Sequence, residues 1–66
     1  MIGENIKRYR IAALFTRKAL ALRLGMQGRS GEETIYKWET GKRPIPLKYF
    51  RPLHDIIGIP FEKLIP

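Results

Sequence analysis

Glycine and proline residues divide this chain into short segments, and this division limits the fold to a packing of small helices. Gly25 and Gly41 each follow a segment whose apolar residues recur at helical spacing, in the place where a left-handed glycine commonly ends a helix. The run KRPIP at 42–46 must be extended, because each proline restricts the residue before it away from helical angles. The sequence has no alternating strand pattern and no repeat, so we predict an all-α fold.

The first two helices are predicted from apolar spacing and one capping residue. Residues 3 to about 13 form an amphipathic helix with Lys7, Arg8 and Ile11 on its outer side. Thr16 is a good N-cap for the RKALALRLG segment that follows, because its side-chain oxygen can accept a hydrogen bond from a free backbone N–H. We therefore expect a short second helix there.

The third helix is predicted to begin at Gly31. Ser30 and Glu33 have the spacing of a capping box, in which each side chain accepts a hydrogen bond from a backbone N–H at the helix start. Ile35 and Trp38 then point inward, three residues apart. The QGRSG run after Met26 is accordingly expected to be a loop.

A fourth helix is predicted after the extended run, with Pro46 in its first turn. Its inner face consists of Leu47, Phe50, Leu53 and Ile57. Pro52 removes a backbone donor and clashes with a carbonyl one turn earlier, so we expect a kink or a break near residue 51. A last single-turn helix, started by Pro60, completes the predicted core with Ile59, Phe61 and Leu64.

The balance of charge points to a polyanionic partner. Thirteen Lys and Arg residues against six Asp and Glu give the 66-residue chain a net charge of +7 and a pI near 10.3. Such a charge raises the local concentration of nucleic acid, although it could also serve only to keep a small protein soluble. The sequence has no apolar run of signal-peptide or membrane-span length. This favours a cytoplasmic protein, associated with the nucleoid if the source is a prokaryote or a phage.

The residue types that carry catalysis or hold metal ions are nearly absent. The chain has no cysteine, and its only histidine, His54, has no cluster of carboxylates to complete a metal site or a catalytic triad. The glycines are isolated, so they form no phosphate-binding loop. We expect no enzymatic activity, no cofactor and no bound metal, and we expect His54 to be half-buried with its hydrogen bonding satisfied.

A series of short motifs extends over nearly the whole chain. It runs from IGENIK at 2–7 and Arg10 through FTRKALA at 15–21, LGM at 24–26, IYKWETGKR at 35–43 and PL at 46–47 to IGI at 57–59 and Leu64. In this order the motifs resemble the lambda-repressor/Cro-type (Xre-like) helix-turn-helix DNA-binding domain. The resemblance implies one compact five-helix domain over 1–66, with a helix-turn-helix unit at about 16–41 and the third helix in the DNA major groove.

The resemblance also implies which side chains contact DNA. Arg17 matches a phosphate contact at the start of the second helix, the alternative being a solvated surface arginine. Lys37 matches a position that reaches base edges, where it could donate to guanine or contact phosphate alone, and Tyr36 lies beside it at the groove wall. The basic pair after Gly41 follows the DNA backbone. The full set is Arg17, Lys18, Arg29, Glu32, Glu33, Tyr36, Lys37, Lys42 and Arg43.

Two features of the sequence depart from the family pattern. Eight residues separate Met26 from Ile35 where the family usually has about four, which implies an enlarged turn between the second and third helices. Glu32 and Glu33 occupy positions that usually read bases, where a carboxylate can accept a hydrogen bond from cytosine N4. We assign Glu33 to the capping box, which leaves the role of Glu32 open. If Glu32 faces the groove, it should favour cytosine or exclude wrong sites by repulsion, and Arg29 is then a candidate to offset its charge.

Two further positions match structural sites of the family. Arg10 and Glu39 correspond to positions that pair and tie the first helix to the third, so we interpret them as a structural ion pair. Trp38 is interpreted as a core residue, since a base-stacking role needs an exposed ring.

Together these features predict a sequence-specific regulator of transcription that binds double-stranded DNA. The simplest form is a Cro-type repressor that binds a palindromic operator as a homodimer, with an interface at Pro44, Ile45, Leu64 and Ile65. The alternative is an antitoxin or adaptor whose acidic third-helix start and long loop contact another protein. Salt titration separates the two hypotheses, because DNA binding follows the number of phosphates neutralised.

Overall fold

Four α-helices and two 3₁₀ turns make up the computed structural model, which describes residues 2–65. The helices are α1 (Ile2–Ala12), α2 (Arg17–Arg23), α3 (Gly28–Glu39) and α4 (Phe50–Ile57), and the 3₁₀ turns are Leu47–Tyr49 and Phe61–Lys63. No strand occurs within residues 2–65, so the all-α class is confirmed for that part of the chain. The predicted fifth helix is a single 3₁₀ turn preceded by Pro60.

The core lies around α3, which packs against both α1 and α2. The buried apolar side chains are Ile6, Leu20, Ala21, Ile35, Trp38, Leu53, Ile57, Ile59 and Leu64. Trp38 is only 2% exposed, which confirms its predicted place in the core and removes base stacking as its role. Leu47 is wrong as a core residue, being 78% exposed. It lies in the 3₁₀ turn before α4, whose geometry does not continue the apolar face of that helix.

Three predicted helix boundaries are confirmed. The Thr16 hydroxyl accepts a hydrogen bond from the backbone N–H of Ala19 at 3.0 Å and so caps α2. Gly25 and Gly41 follow α2 and α3 with φ of +84° and +76°, the left-handed conformation that ends a helix at low steric cost when the residue is glycine.

The start of α3 differs from the prediction. The helix begins at Gly28 rather than Gly31, with Gln27 as its extended N-cap. Ser30 lies inside the helix, where its hydroxyl donates to the Gln27 carbonyl at 3.3 Å. The capping box between Ser30 and Glu33 is therefore wrong. A φ of +69° at Gly28 turns the chain into the helix earlier than local pattern suggested, because glycine adopts this conformation freely.

The enlarged turn is also not observed. Only residues 24–27 connect α2 to α3, and the extra residues between Met26 and Ile35 lengthen α3 at its N-terminus instead. The long loop invoked for a protein partner is accordingly helical. Gly31 has a different role from the one predicted, because a Cβ there would lie 2.8 Å from the Cβ of Met26 and 3.1 Å from that of Ala21. Its lack of a side chain lets α3 approach α2 closely.

The expected interruption before Pro52 is present. The segment divides into the 3₁₀ turn Leu47–Tyr49 and α4, which begins at Phe50. Pro52 is thus the third residue of α4, in the first turn, where a backbone N–H has no acceptor within the helix.

The turn between α1 and α2 contains a strained and exposed leucine. Leu14 has a φ of +65° and is 93% exposed, so it adopts a conformation that is costly for a residue with a Cβ without gaining burial. We expect Leu14→Gly to raise the free energy of unfolding by about 1 kcal/mol, because relief of this strain exceeds the entropy cost of a glycine. Urea denaturation followed by circular dichroism measures the change.

Leu22→Gly is the matched control for this prediction. Leu22 is also exposed, at 57%, but lies inside α2, so the same substitution should lower the free energy of unfolding by about 1 kcal/mol. A loss of stability at Leu14 similar to that at Leu22 would contradict the strain argument.

Candidate nucleic-acid interface

The outward face of α3 carries five of the predicted contact residues. Gly31, Ile35, Trp38 and Glu39 are buried and define the inward face. Arg29, Glu32 and Glu33 are exposed, Tyr36 is 44% exposed and Lys37 is half-buried. Positions three and four residues apart on a helix are neighbours, so these side chains share one surface. That surface combines basic, acidic and aromatic groups.

Glu33 lies in the middle of this surface rather than at the helix start. It is four residues from Arg29 and four from Lys37, and neither neighbour forms an ion pair with it among residues 2–65. Because α3 begins at Gly28, the carboxylate is exposed to solvent and does not cap its own backbone. Glu33 thus joins Glu32 as an exposed acidic residue on the candidate recognition surface.

A buried ion pair joins α1 to the C-terminal end of α3. Arg10 Nε donates to Glu39 Oε2 at 2.6 Å, and its Nη2 donates to Oε1 at 3.3 Å. The side chains are 8% and 1% exposed. Arg10 Nη1 also donates to the carbonyl of Phe15 at 2.8 Å, so one guanidinium connects α1, α3 and the turn before α2.

Arg17 extends this ion pair to the start of α2. Its Nε donates to Glu39 Oε1 at 3.0 Å, and its guanidinium carbon lies 5.1 Å from the centre of the Tyr36 ring. The Arg17 side chain is 32% exposed. Neither contact was predicted from the sequence, because Arg17 is 22 positions from Glu39 and no local spacing connects α2 to this part of α3.

The remaining predicted contact residues lie on either side of α3. Lys18 is exposed on α2, and Lys42 and Arg43 are exposed just after α3. The backbone N–H groups of Lys42 and Arg43 donate to the carbonyl of Lys37 at 2.9 and 3.3 Å. These hydrogen bonds hold the basic pair close to the end of α3, so basic side chains lie next to both ends of the helix-turn-helix unit.

The predicted dimer contacts are only partly accessible. Pro44 and Ile65 are exposed and Ile45 is half-buried, and all three line an open groove with Ile2 and Phe50. Leu64 also lines this groove, but it is 2% exposed and packs in the core, so little of its surface is available to a partner.

His54, which lies outside this surface, has an ordinary structural explanation. His54 is half-buried, its Nδ1 lies 2.9 Å from the carbonyl oxygen of Ile59, and its ring stacks on Phe61. Its predicted satisfied state is thereby confirmed. Residues 2–65 hold no group of three His, Cys, Asp or Glu residues that could bind a metal ion. The helices described for these residues are also too short and too polar to cross a membrane.

The chain matches a known protein family. A family model described as helix-turn-helix matches residues 6–64, which include α2, α3 and α4 in full. No curated protein and no solved structure matches the chain.

Proposed function

Because the chain belongs to the helix-turn-helix family of the Xre and lambda-repressor type, whose members bind DNA and regulate transcription, we propose that it recognises a specific double-stranded sequence. The simplest form of this function is repression, by occupying an operator. The observation that carries the proposal is the exposed face of α3, which presents Arg29, Glu33, Tyr36 and Lys37 together.

Base recognition follows from the chemistry of that face. With α3 in the major groove, Arg29 and Lys37 can donate to O6 and N7 of guanine. Glu32 and Glu33 can accept a hydrogen bond from N4 of cytosine and repel groups that present only acceptors. The mixture of basic and acidic groups supports recognition of base sequence rather than electrostatic attraction to phosphates alone. Two carboxylates would not increase the affinity of a surface that binds only phosphates.

Phosphate contacts supply the affinity in this proposal. Arg17 and Lys18 lie at the start of α2, and Lys42 and Arg43 lie after α3. Basic groups on both sides of a recognition helix fix its register on the duplex without reading sequence. The net charge of +7 adds long-range attraction to DNA.

A homodimer on a palindromic operator completes the proposal. The groove that contains Pro44, Ile45 and Ile65, together with Ile2 and Phe50, offers apolar surface for a second copy. Two copies related by a two-fold axis place their α3 helices in half-sites about 34 Å apart, roughly one turn of DNA.

Selection of binding sites from random duplexes tests the function. We expect a palindromic consensus with G·C pairs in each half-site, where Arg29, Lys37 and the two glutamates read bases. Absence of any enriched sequence would overturn sequence-specific binding and favour a protein partner. A consensus without two-fold symmetry would support sequence-specific DNA binding but exclude binding as a symmetric dimer.

Lys37 provides a residue-level prediction. Lys37→Ala should weaken binding at the preferred base pair by about 1–3 kcal/mol and relax the preference there, because one donor to a base edge is lost. Affinities for the selected site and for its single-base variants measure this effect. Lys63→Ala, an equal change of charge at an exposed residue of the last 3₁₀ turn, controls for lost long-range attraction. If Lys37→Ala weakens binding to selected and to random DNA equally, Lys37 contacts a phosphate rather than a base.

A further inference from the structure

One buried carboxylate is shared by two guanidinium groups, and this leaves positive charge on one of them. Glu39 Oε1 accepts from both Arg10 Nη2 and Arg17 Nε, while Oε2 accepts from Arg10 Nε. Two positive groups against one negative group leave one unit of charge uncompensated. Arg10 is 8% exposed and Arg17 is 32% exposed, so the open side of the cluster, where an anion could approach, is at Arg17.

The contacts of Arg17 leave its outer edge available. Its Nε is taken by Glu39, and the Tyr36 ring lies beside the guanidinium, 5.1 Å from the guanidinium carbon to the ring centre. Neither terminal nitrogen, Nη1 or Nη2, makes a hydrogen bond within residues 2–65. A planar guanidinium fixed in this way retains the pair of donors that matches two phosphate oxygens.

We propose that Glu39 and Tyr36 are positioning residues that hold Arg17 ready for a DNA phosphate. This inference rests on the proposed DNA binding and adds separate roles for the three residues: Arg17 contacts the phosphate, and Glu39 and Tyr36 hold Arg17 in position. Glu39 directs the guanidinium through Nε, and the Tyr36 ring, over which the guanidinium carbon lies, limits its movement. Because Arg17 is ordered before DNA arrives, less side-chain freedom is lost on binding.

This arrangement couples the phosphate contact to the position of the recognition helix. Tyr36 and Glu39 belong to α3, whereas Arg17 belongs to α2. The phosphate contact is therefore placed by the same helix that enters the groove, and any shift of α3 moves Arg17 with it. Lysine is not equivalent to Arg17 in this role, because its ammonium group is a point charge without the planar pair of donors that can bind two phosphate oxygens while Nε binds Glu39.

The test measures binding to a random-sequence duplex of roughly 20 base pairs, about two helical turns. Such a duplex is sufficient because phosphate contacts carry no sequence information. Fluorescence anisotropy over a range of salt concentrations gives the affinity and the salt slope. Arg17→Ala should weaken binding on the order of tenfold at low salt, the loss typical of one charge-assisted hydrogen-bonding group, and lower the salt slope by about one phosphate. Arg17→Lys should retain the salt slope but lose much of the affinity.

A double-mutant cycle isolates the positioning role of Tyr36. Tyr36→Leu should weaken binding of the wild-type chain severalfold, yet have little further effect when Arg17 is already alanine. The matched control combines Tyr36→Leu with Lys18→Ala. Lys18 is a basic residue next to Arg17 that has no ion pair or ring contact within the described chain. The losses of binding free energy caused by Tyr36→Leu and Lys18→Ala should be additive.

The outcomes separate this inference from the function on which it rests. Additive effects of Arg17→Ala and Tyr36→Leu, or an Arg17→Lys variant with wild-type affinity, would overturn the positioning role while leaving DNA binding intact. Failure of the wild-type chain to bind any duplex would overturn the proposed function itself. Thermal unfolding of each variant shows whether an observed loss of affinity comes from unfolding.

Discussion

Glu39→Gln is expected to lower the free energy of unfolding by about 3–5 kcal/mol, the cost typical of removing one partner from a buried ion pair. The Glu39 side chain is 1% exposed and accepts hydrogen bonds from two arginines. Glutamine keeps the shape but removes the charge, so the Arg10 guanidinium stays buried without a counter-ion. In a chain of 66 residues this loss is comparable to the whole stability of a small domain.

Asp55→Asn is the matched control for the Glu39 substitution. Asp55 also pairs with an arginine, Arg51, at 3.5 Å, but the two side chains are 58% and 79% exposed. The same change from carboxylate to amide should cost less than about 0.5 kcal/mol there, because water solvates both groups. Chemical denaturation followed by circular dichroism compares the two. Similar small losses at both positions would show that the buried cluster does not hold α1 and α2 to α3.

The second large effect is expected at Gly3, in the first turn of α1. A Cβ at this position would lie against the carbonyl oxygens of Trp38 and Glu39 and 2.7 Å from the carbonyl carbon of Glu39. These are backbone atoms, which cannot rotate away as a side chain can. Helix propensity alone favours alanine over glycine by about 1 kcal/mol. The contact reverses this sign, and we expect Gly3→Ala to lower the free energy of unfolding by about 2–3 kcal/mol.

Glu4→Ala tests whether the effect at Gly3 comes from the contact rather than from α1 itself. Glu4 is the next residue of the same helix turn and is exposed, so its replacement should change stability by no more than about 0.5 kcal/mol. A Gly3→Ala variant as stable as the parent, or more stable, would contradict the close approach of α1 to the end of α3.

Both large predictions concern the same junction. Gly3 brings the start of α1 against the last residues of α3, and Arg10 connects the other end of α1 to Glu39. The C-terminal end of α3 is therefore held by close backbone packing and by a buried ion pair. Its N-terminal part packs against α2 on the inner side and leaves Arg29, Glu32 and Glu33 exposed on the outer side. The helix proposed to read DNA is thus held by α1 at one end and by α2 at the other, with its outward face open.

Features that depend on neighbouring residues were predicted from the sequence. The Thr16 cap and the helix ends at Gly25 and Gly41 each depend on hydrogen bonds or backbone angles within a few residues. The inward positions of Ile35 and Trp38 follow from helical period. The interruption before Pro52 follows from the missing backbone donor and the size of the proline ring. These local rules, with the match of motif order, were enough to identify the family.

Other features were decided only when the helices packed. The start of α3 at Gly28, where local pattern predicted a loop, accompanies the close packing of α3 on α2 at Gly31. Leu64 is buried although it lies near the chain end, and Gly3 is required by two carbonyl groups more than thirty residues away. The contact of Arg17 with Glu39 and Tyr36 likewise joins α2 to α3. Sequence determined the helices and the charge, because these depend on short-range hydrogen bonds and composition. Tertiary structure decided which charged groups meet, because buried pairs form between residues whose separation along the chain carries no signal.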